Sequence, residues 1–472
     1  MSDVRWMLNG KPRDVQLEAL RRSNGRRGFG FFMEQRLGKT ATVLNEYMCL
    51  RDAGNVDWLV VLAPNSFKVD WGVAADNWAS LRGPVHIFES TRLKDFVAWR
   101  KRNQFGCVVI NYEALSYQKN TDALRSVLGP RTYIAADESI KIKNPASNQT
   151  RVALTLAKSC GYRRVLSGKP ITQGASDLYA QFRFIGELDG VLFSAFKARY
   201  CEMGGFQGRQ ERGVRNEEEL SAIRAACSFT ARKIDYIDGF QLPDYVTRRV
   251  ELEPDHLRMY RQMQNEFLVE MASGDVVTAQ QVVTKLMKCQ QIASGFIIDE
   301  DGHARDVVPV GKNPRIAVIK MLLEEELTTK LMVVCHYKRS IDMLMEALAE
   351  FDPAVIRGGS TDLIEQKHKF NDDSSCRVVV AQDDASKYGH ELIGTPNDPC
   401  LTMAFFETSY SLDTRSQVEE RNNYGDKSVA RTIIDFSATD ADERVIAALC
   451  RKEDVAAALM GFARSTGVLP PR

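Results

Sequence analysis

Two polar motifs in the chain have the residue types that bind a nucleoside triphosphate. The first is LGKT at 37–40, which lies between the apolar segment GFGFF and a helical pattern. Backbone N–H groups at a helix start bind phosphate oxygens, a lysine there reaches the β- and γ-phosphates, and a threonine hydroxyl ligates Mg²⁺. The motif predicts that Leu37, Gly38, Lys39 and Thr40 bind ATP. It is degenerate, because Met33 stands where the general pattern has its first glycine, and a chance GKT at a helix start is the alternative.

The second motif is the acidic pair Asp137-Glu138, directly after the apolar segment TYIAA. The carboxyl ends of parallel strands meet at one edge of a sheet, so this pair and LGKT can lie side by side. Asp137 could then hold Mg²⁺, together with Thr40, and Glu138 could orient the attacking water. Taken alone, such a pair is more simply a solvated strand end. Together with LGKT it favours an ATP-hydrolysing site.

The elements that must position these motifs are short, nearly continuous apolar runs. Such runs are typical of parallel strands covered on both faces, and their alternation with helical patterns predicts an α/β fold. Between about Asp177 and Arg305 the pattern is mostly helical, with amphipathic stretches at 216–233 and 254–274. We therefore expect two parallel-sheet units separated by a helical insertion. The predicted strands are 57–64, 107–112, 132–139, 163–170, 330–337, 376–382, 400–408 and 430–437.

Composition limits the class of protein. The 472 residues carry a net charge of only +1, so a nucleic acid would have to bind a locally basic cleft. The ten cysteines form no CxxC pair and the six histidines no HExxH spacing, which argues against a zinc site. Dispersed cysteines, the absence of a signal-peptide pattern and the absence of a bilayer-length apolar run favour the cytoplasm.

The ordered motif series resembles that of Swi/Snf-like superfamily-two helicases and translocases. The segments that carry the resemblance are RDVQLEAL, LGKT, APNSFKVDW, INYEAL, DESIKIKN and SGKPITQGASDLY, continuing through VVCHYKRSIDML and QVEER to ADERVIAALCRKEDV. The resemblance covers nearly the whole chain and implies two RecA-like lobes that close on one ATP with Mg²⁺. It further implies domains at 1–180 (ATP-binding lobe), 181–304 (mostly helical insertion), 305–440 (second lobe) and 441–472 (bracing helix and tail).

The resemblance assigns nucleotide contacts beyond LGKT. Arg13 and Gln16 match positions that read the adenine edge, for which an ordinary first helix is the alternative. Arg36 belongs to the loop, although many helicase loops carry glycine there. Ser167-Gly168 match the motif that couples hydrolysis to lobe movement, but Lys169 replaces its usual threonine. Gly389 would lie near the nucleotide or the hinge.

An arginine finger from the second lobe is the remaining catalytic group that the resemblance implies. Gln417 and Arg421 fit the first half of the family's motif, whereas Tyr424 stands where a second arginine is expected. Arg421 is thus predicted to bind the nucleotide and act in catalysis. Arg415 or Arg431 could contribute, and an exposed polar helix is the plainer interpretation of the segment.

Sequence-independent contacts to the DNA backbone are expected at the strand ends of both lobes. The matching positions are polar, basic or glycine residues: Asn65, Ser66, Lys68, Asn111, Tyr112, Lys143, Asn144, His336, Tyr337, Lys338, Gly358, Gln382 and Ser386. For each one alone, a solvated loop residue is the simpler interpretation. As a set at corresponding strand ends, they favour a surface that binds the DNA backbone.

These expectations combine into an ATP-dependent translocase on duplex or branched DNA, acting in fork remodelling, branch migration or protein displacement. So compact a motor suits a bacterium or a phage. An RNA helicase, a weakly hydrolysing DNA-binding scaffold and the motor subunit of a restriction or defence complex stay open as alternatives.

Overall fold

The computed structural model describes residues 5–79, 83–172, 174–204, 210–272, 279–299, 301–386, 391–407, 412–423 and 429–438, with the pairs 442–443 and 446–447. They form two compact units, one containing the described residues up to Phe240 and the other those from Gln241 onward. Within the described part of the chain, no helix is both long and apolar enough to cross a lipid bilayer.

The first unit is built around a parallel sheet. Its strands are β1 (Gly28–Met33), β2 (Trp58–Ala63), β3 (Val85–Ile87), β4 (Gly106–Asn111), β5 (Thr132–Ala136), β6 (Tyr162–Leu166), β7 (Cys201–Gly204), β8 (Gln210–Val214) and β9 (Ser228–Ala231). The main sheet has the order β3-β4-β2-β5-β6-β1-β9, while β7 and β8 form a separate antiparallel pair. Every neighbouring pair in the main sheet is parallel.

Helices accompany this sheet. They are α1 (Asp14–Ser23), α2 (Lys39–Asp52), α3 (Lys68–Ala79), α4 (Leu93–Arg102), α5 (Gln118–Leu124), α6 (Asn148–Lys158), α7 (Asp177–Ile185), α8 (Phe193–Tyr200), α9 (Glu217–Cys227) and α10 (Lys233–Tyr236). Local sequence sets several of their ends. Ser147 caps α6 by accepting a hydrogen bond from Thr150 N at 3.2 Å, and Gly186 ends α7 in the left-handed region at φ 93°.

The second unit contains another parallel sheet. Its strands are β10 (Asp244–Arg249), β11 (Phe296–Ile298), β12 (Ala304–Asp306), β13 (Lys330–Cys335), β14 (Ala354–Ile356), β15 (Val378–Gln382), β16 (Cys400–Phe405) and β17 (Thr432–Ser437). The sheet order is β10-β17-β16-β13-β15-β14, and β11 pairs with β12 in a small hairpin. The helices are α11 (Pro254–Ala272), α12 (Ala279–Ser294), α13 (Pro314–Met321), α14 (Lys338–Ala347), α15 (Leu363–Asp372), α16 (Asp383–Ser386) and α17 (Leu412–Glu419).

The predicted fold class is confirmed. Each apolar run forms a strand, and all six residues of β2 and of β13 are buried, as expected for strands with helices on both faces. The two faces of each sheet contact separate groups of apolar side chains. Val60 and Leu62 belong to one such group and Leu59 and Val61 to the other, which follows from the alternation of side chains along β2.

The segment 181–304 contains short strands in addition to the helices that we predicted. Its helix at 216–233 ends at Cys227, and Ser228–Ala231 continues as β9, which joins the first sheet beside β1. Asp244–Arg249 forms β10 and joins the second sheet beside β17. Aromatic and β-branched residues in these short segments favour strands once a sheet edge is offered. The boundary between the two units, at Phe240 and Gln241, falls within this segment, and its role as a family-type insertion stays a prediction. Most of 441–472 lies outside the described residues.

A buried ion pair connects three elements of the first sheet. The Arg164 guanidinium on β6 donates two hydrogen bonds to the Glu46 carboxylate on α2, from Nε at 2.8 Å and from a terminal nitrogen at 2.7 Å. The Tyr133 hydroxyl on β5 donates to the same carboxylate at 2.6 Å. Arg164 is only 1% exposed, and it also donates to the carbonyl oxygens of Arg26 and Arg27. This cluster fixes α2 against β5 and β6.

We expect Glu46→Ala to destabilise the first unit by about 3–5 kcal/mol, because the substitution leaves the Arg164 charge buried without a carboxylate. Urea unfolding followed by tryptophan fluorescence measures this unit, since all five tryptophans precede Phe240 in sequence. Asp52→Ala is the matched control on the same helix, because it removes an exposed carboxylate paired with Arg5. Equal shifts of the unfolding midpoint in the two variants would contradict the assignment.

Candidate functional site

The phosphate-loop candidate occupies the turn between β1 and α2. Helix α2 begins at Lys39, and no side chain caps its first turn, so its backbone N–H groups are available to an anion. Gly38 has φ 89° and Arg36 has φ 66°, both in the left-handed region. Glycine adopts this conformation more readily than arginine, which accounts for the glycine that many helicase loops carry at the position of Arg36.

Arg13 and Gln16 brace this loop from α1. A terminal Arg13 nitrogen donates to the carbonyl oxygen of Arg36 at 2.6 Å, and Gln16 Nε2 donates to that of Gly38 at 3.2 Å. A side chain at Gly38 would be strained at its φ of 89°, and its Cβ would lie 2.2 Å from Gln16 Nε2 unless the Gln16 side chain shifted. The structure therefore gives these two side chains a loop-holding role, and their contact with adenine stays a prediction.

The loop is also held by β9 and the residues that follow it. Glu34 N donates to the carbonyl oxygen of Ala231 at 2.9 Å, and the Glu34 carboxylate accepts a hydrogen bond from Lys233 N at 2.7 Å. Gly168 packs on the other side, where a Cβ would lie 3.4 Å from Gln35 N. The predicted coupling motif Ser167-Gly168 thus contacts the phosphate loop directly.

Lys39 and Asp137 act on each other electrostatically across this edge of the sheet. The Lys39 ammonium donates to the carbonyl oxygen of Met33 at 2.9 Å, which directs it back along the loop. Burial raises the pKa of the Asp137 carboxyl above its usual value, while the hydrogen bond from Trp71 and the charge of Lys39 partly oppose that rise. The two residues follow strands of one sheet at the same edge and influence each other electrostatically, and their sharing of one nucleotide stays a prediction.

The orientation of Asp137 is fixed by three hydrogen bonds. Trp71 Nε1 donates to Oδ2 at 2.8 Å, Glu138 N donates to Oδ1 at 3.0 Å, and the Tyr112 hydroxyl donates to the backbone carbonyl at 2.6 Å. Asp137 is 8% exposed, and Glu138 adopts a left-handed φ of 45°. Strained backbone of this kind is common at functional sites.

These residues fit an ATP–Mg²⁺ complex. A helix start without a side-chain cap and the half-buried side chains of Lys39 and Thr40 suit phosphate oxygens and a cation. The Asp137 carboxylate supplies the hard oxygen ligand that Mg²⁺ prefers, directly or through water. Bound Mg²⁺ would neutralise charge on the phosphates, and the protein would supply position.

The second unit holds the three arginines considered as fingers in different ways. Arg415 makes a buried bidentate pair with Asp435, at 2.7 Å for both nitrogens, and contacts Glu419. Arg431 donates to the backbone of Glu419 and to the Asn422 side chain. Arg421 is 6% exposed, and its Nε donates to the carbonyl oxygen of Gln417 at 3.1 Å. Arg421 stays the predicted finger, whereas Arg415 is committed to an ion pair.

A polar cluster gathers where β13, β15 and β16 end. His336 Nδ1 pairs with Asp383 Oδ2 at 2.7 Å, and His336 N donates to the buried Glu407 carboxylate at 3.1 Å. Ser340 donates to the same carboxylate. Burial alone lowers the pKa of His336, but the hydrogen bond and charge of Asp383, with Glu407 and Asp384, outweigh it, so the pKa lies above its usual value. Burial raises the pKa of Glu407.

The predicted DNA contacts are partly exposed at strand ends. Asn65, Asn144, Lys338 and Gly358 are exposed, and Lys68, Asn111, Lys143, His336 and Gln382 are half-buried. Lys143 donates to Thr172 Oγ1 at 2.8 Å, and Gln382 accepts from Gly358 N at 3.0 Å. The side chains of Ser66 and Ser386, and the whole of Gly389, lie outside the described residues.

Two of the predicted DNA contacts, Tyr112 and Tyr337, have buried side chains, and their contact with DNA stays a prediction. Tyr112 is fully buried, and its hydroxyl donates a hydrogen bond to the carbonyl oxygen of Asp137. Tyr337 is 8% exposed, and its hydroxyl donates to Gln290 Oε1 at 3.1 Å on α12. Aromatic residues at strand ends have an apolar body that packs inward, and the sequence pattern did not distinguish packing from exposure.

Trp71, Asp383 and Glu407 were not singled out from the sequence. Trp71 lies within APNSFKVDW, which was used only as part of a motif series. Its signal was a large indole one helical turn after Lys68. Asp383 and Glu407 directly follow or end apolar runs, as Asp137 does, and that shared position could have identified them.

Comparison with known families decides the relationship. The family model described as the SNF2-related domain matches residues 5–295, more than half of the chain. The chain belongs to the SNF2-related family. Its members are helicase-like ATPases, and the resemblance to Swi/Snf-like helicases is confirmed.

Several curated relatives are larger proteins. The SWI/SNF-related matrix-associated actin-dependent regulator of chromatin subfamily A-like protein 1 of Xenopus tropicalis is 24% identical over 353 residues, covering 73% of this chain and 34% of that protein. Its Caenorhabditis elegans homologue is 29% identical over 175 residues, covering 35% and 24%. This SNF2-related chain thus spans about a third of the length of the first relative.

Among solved structures, the chain is similar to the Sulfolobus solfataricus SWI2/SNF2 ATPase core in complex with dsDNA. The identity is 16%, the TM-score is 0.43, and the match covers 99% of this chain and 94% of that one. The same core domain without DNA in its description matches at 18% identity with a TM-score of 0.41, covering 99% and 96%.

The His336–Asp383 pair predicts a pH-dependent stability of the second unit. A histidine whose pKa is raised by folding contributes stability that is fully present below its unfolded pKa and is lost as pH rises through the raised value. Asp383→Asn should lower the pKa of His336 and reduce that pH-dependent loss. The chain has six histidines, and NMR titration of their resonances in a labelled sample measures the pKa of His336 directly.

The matched control is Asp372→Asn, which removes the carboxylate beside the exposed His368 on α15. It should leave the high-titrating resonance in place. If Asp383→Asn left all six histidine titrations unchanged, the assigned cause of the raised pKa would be wrong.

Proposed function

We propose that this SNF2-related protein is an ATP-driven motor that moves along duplex or branched DNA. The observation that carries the proposal is that Lys39 and Asp137 follow β1 and β5 of one parallel sheet at the same edge, where the lysine charge acts on the carboxylate. A parallel sheet of this kind binds its ligand at that edge. Family membership supplies the ATPase class, and the geometry supplies the residues.

The roles follow from what phosphoryl transfer requires. Lys39 and the N–H groups of the first turn of α2 offset phosphate charge, and Thr40 with Asp137 would hold Mg²⁺. Glu138, next to Asp137, is placed to orient the attacking water. Arg421 would come from the second unit to stabilise the charge of the transition state, a contribution of about 10³-fold or more in related motors.

DNA as the track is supported by the relatives' names and by the chemistry of the strand ends. The relatives include regulators of chromatin and a DNA excision repair protein ERCC-6-like of Bos taurus, 26% identical over 218 residues and covering 42% of this chain and 17% of that protein. Exposed Asn65, Asn144 and Lys338 suit sequence-independent contacts to phosphates. Fork remodelling, branch migration and protein displacement are the reactions such a motor would perform.

Lys39→Ala and Glu138→Gln should each reduce ATP turnover by about 10²-fold or more, because each removes charge or nucleophile positioning from the reacting phosphate. Duplex DNA affinity, measured by fluorescence anisotropy, should stay within a few-fold of wild type. Glu89→Gln is the control, since it removes an exposed carboxylate paired with Arg92 away from the motifs. Full turnover in Lys39→Ala would favour a non-hydrolysing scaffold.

The nature of the track is tested by steady-state ATP hydrolysis with branched DNA, duplex DNA, single-stranded DNA and RNA. We expect the strongest stimulation with duplex or branched DNA, and a reduction of DNA affinity as salt rises. Stimulation by RNA alone would show an RNA helicase. Displacement of a triplex-forming strand from a duplex would measure translocation itself.

A further inference from the structure

Two buried aromatic side chains, Trp71 and Tyr112, donate hydrogen bonds to Asp137. Each lies in a different segment that carries predicted DNA contacts. Trp71 lies on α3, three residues after Lys68, and its indole nitrogen donates to the Asp137 carboxylate at 2.8 Å. Tyr112 directly follows Asn111 at the end of β4, and its hydroxyl donates to the Asp137 carbonyl oxygen at 2.6 Å. Trp71 is 2% exposed and Tyr112 is 0% exposed, so neither side chain is available to contact DNA in this structure.

The sheet order explains this convergence. Strand β2 lies between β4 and β5, so the segments that follow β2 and β4 reach the edge beside the residue that follows β5. Asp137 N also donates to the carbonyl oxygen of Leu62 in β2 at 2.7 Å. The backbone and the carboxylate of Asp137 are therefore both tied to the two segments that carry Asn65, Lys68 and Asn111.

The chemistry of these donors fixes how the carboxylate can point. An indole N–H can only donate, so Oδ2 must accept, and Glu138 N occupies one lone pair of Oδ1. The remaining lone pairs of the carboxylate are the ones that face a cation or its water. A helix moves as a rigid body over one turn, so a displacement at Lys68 is passed to the indole and from there to Oδ2.

We propose that Trp71 and Tyr112 are positioning residues through which DNA contacts after β2 and β4 set the orientation of the Asp137 carboxylate toward Mg²⁺. This inference rests on the proposed function, because it needs DNA at Asn65, Lys68 and Asn111. It gives the hydrolytic site a direct mechanical connection to the track within the first unit.

Trp71→Phe tests the carboxylate contact, because it removes the donor and keeps an aromatic ring. The Mg²⁺ concentration that half-saturates nucleotide binding, measured by calorimetry with ADP, should rise about tenfold or more, as for other partners of metal-binding carboxylates. Trp58→Phe is the matched control, since Trp58 is 6% exposed at the opposite end of β2. Equal Mg²⁺ dependence in wild type and Trp71→Phe would overturn the role of Trp71.

Tyr112→Phe tests the connection to DNA, because it deletes one hydroxyl and keeps the buried ring. The ratio of ATP turnover with duplex DNA to turnover without it should fall about fivefold, the equivalent of one hydrogen bond, and should also fall in Trp71→Phe. Duplex affinity should not change in either variant. A structural role alone would lower both rates together and leave the ratio intact, and an unchanged ratio would overturn the proposal.

The two hypotheses fail differently. If duplex DNA stimulates the wild-type protein and neither variant changes the ratio of stimulated to basal ATP turnover, the proposed coupling through Asp137 is wrong. The proposal of a DNA motor is then unaffected. If no nucleic acid stimulates the wild type, the proposed motor is wrong and the coupling falls with it, while the Mg²⁺ titration still decides whether Trp71 orients Asp137. Should Trp71→Phe lose its cooperative unfolding, Tyr112→Phe decides the coupling.

Discussion

The buried ion pair between Arg164 and Glu46 is the interaction on which the geometry of the nucleotide site depends. It joins the helix that begins with Lys39 to the strand preceding Ser167, and Tyr133 extends it to the strand preceding Asp137. A buried charge that loses its partner is strongly unfavourable, so these three elements cannot separate without a large cost in folding free energy. Lys39, Asp137 and the Ser167-Gly168 segment are consequently held at one sheet edge even though no side chain bonds Lys39 to Asp137 directly among the contacts described.

The same design recurs in the second unit with different residues. Glu407 is fully enclosed beneath His336, and it accepts hydrogen bonds from His336 N and Ser340, while Arg315 lies close enough to lower its pKa against the effect of burial. In both units a buried carboxylate therefore accepts hydrogen bonds from more than one element, Glu46 from β5 and β6, and Glu407 from the residue after β13 and from α14. Buried polar networks of this kind favour one arrangement of the groups around them. In the first unit those groups include Asp137, the carboxylate that we propose to hold Mg²⁺, and in the second they include His336, whose pKa is raised.

The long apolar strands could be predicted because burial on both faces leaves a strong local pattern, and LGKT with Asp137-Glu138 could be predicted because the edge of a parallel sheet brings strand ends together. The contacts that hold the phosphate loop could not be predicted in this way. Ser228–Ala231 has no continuous apolar run, and it becomes β9 only because β1 offers it a partner. Its continuation then holds Glu34 through Ala231 and Lys233. Likewise, nothing in the local pattern separates Tyr112, which packs inward, from Asn111, which is half-buried beside it, since that difference is set by Asp137.

The degenerate motifs are better understood from these contacts than from the loss of consensus residues. Arg36 adopts the left-handed conformation that a glycine would take, and its carbonyl oxygen is held by Arg13, so the loop keeps its shape at the cost of a less favourable backbone. Arg415 cannot replace a missing finger, because withdrawing it would strand Asp435, which is 1% exposed. Of the three arginines considered, Arg415 is therefore the least able to move toward a nucleotide, and Arg421 stays the predicted finger because it matches the family's motif. A phosphate loop that keeps its shape, together with one arginine finger, is consistent with an active ATPase. The substitutions in the motifs therefore do not by themselves favour a scaffold.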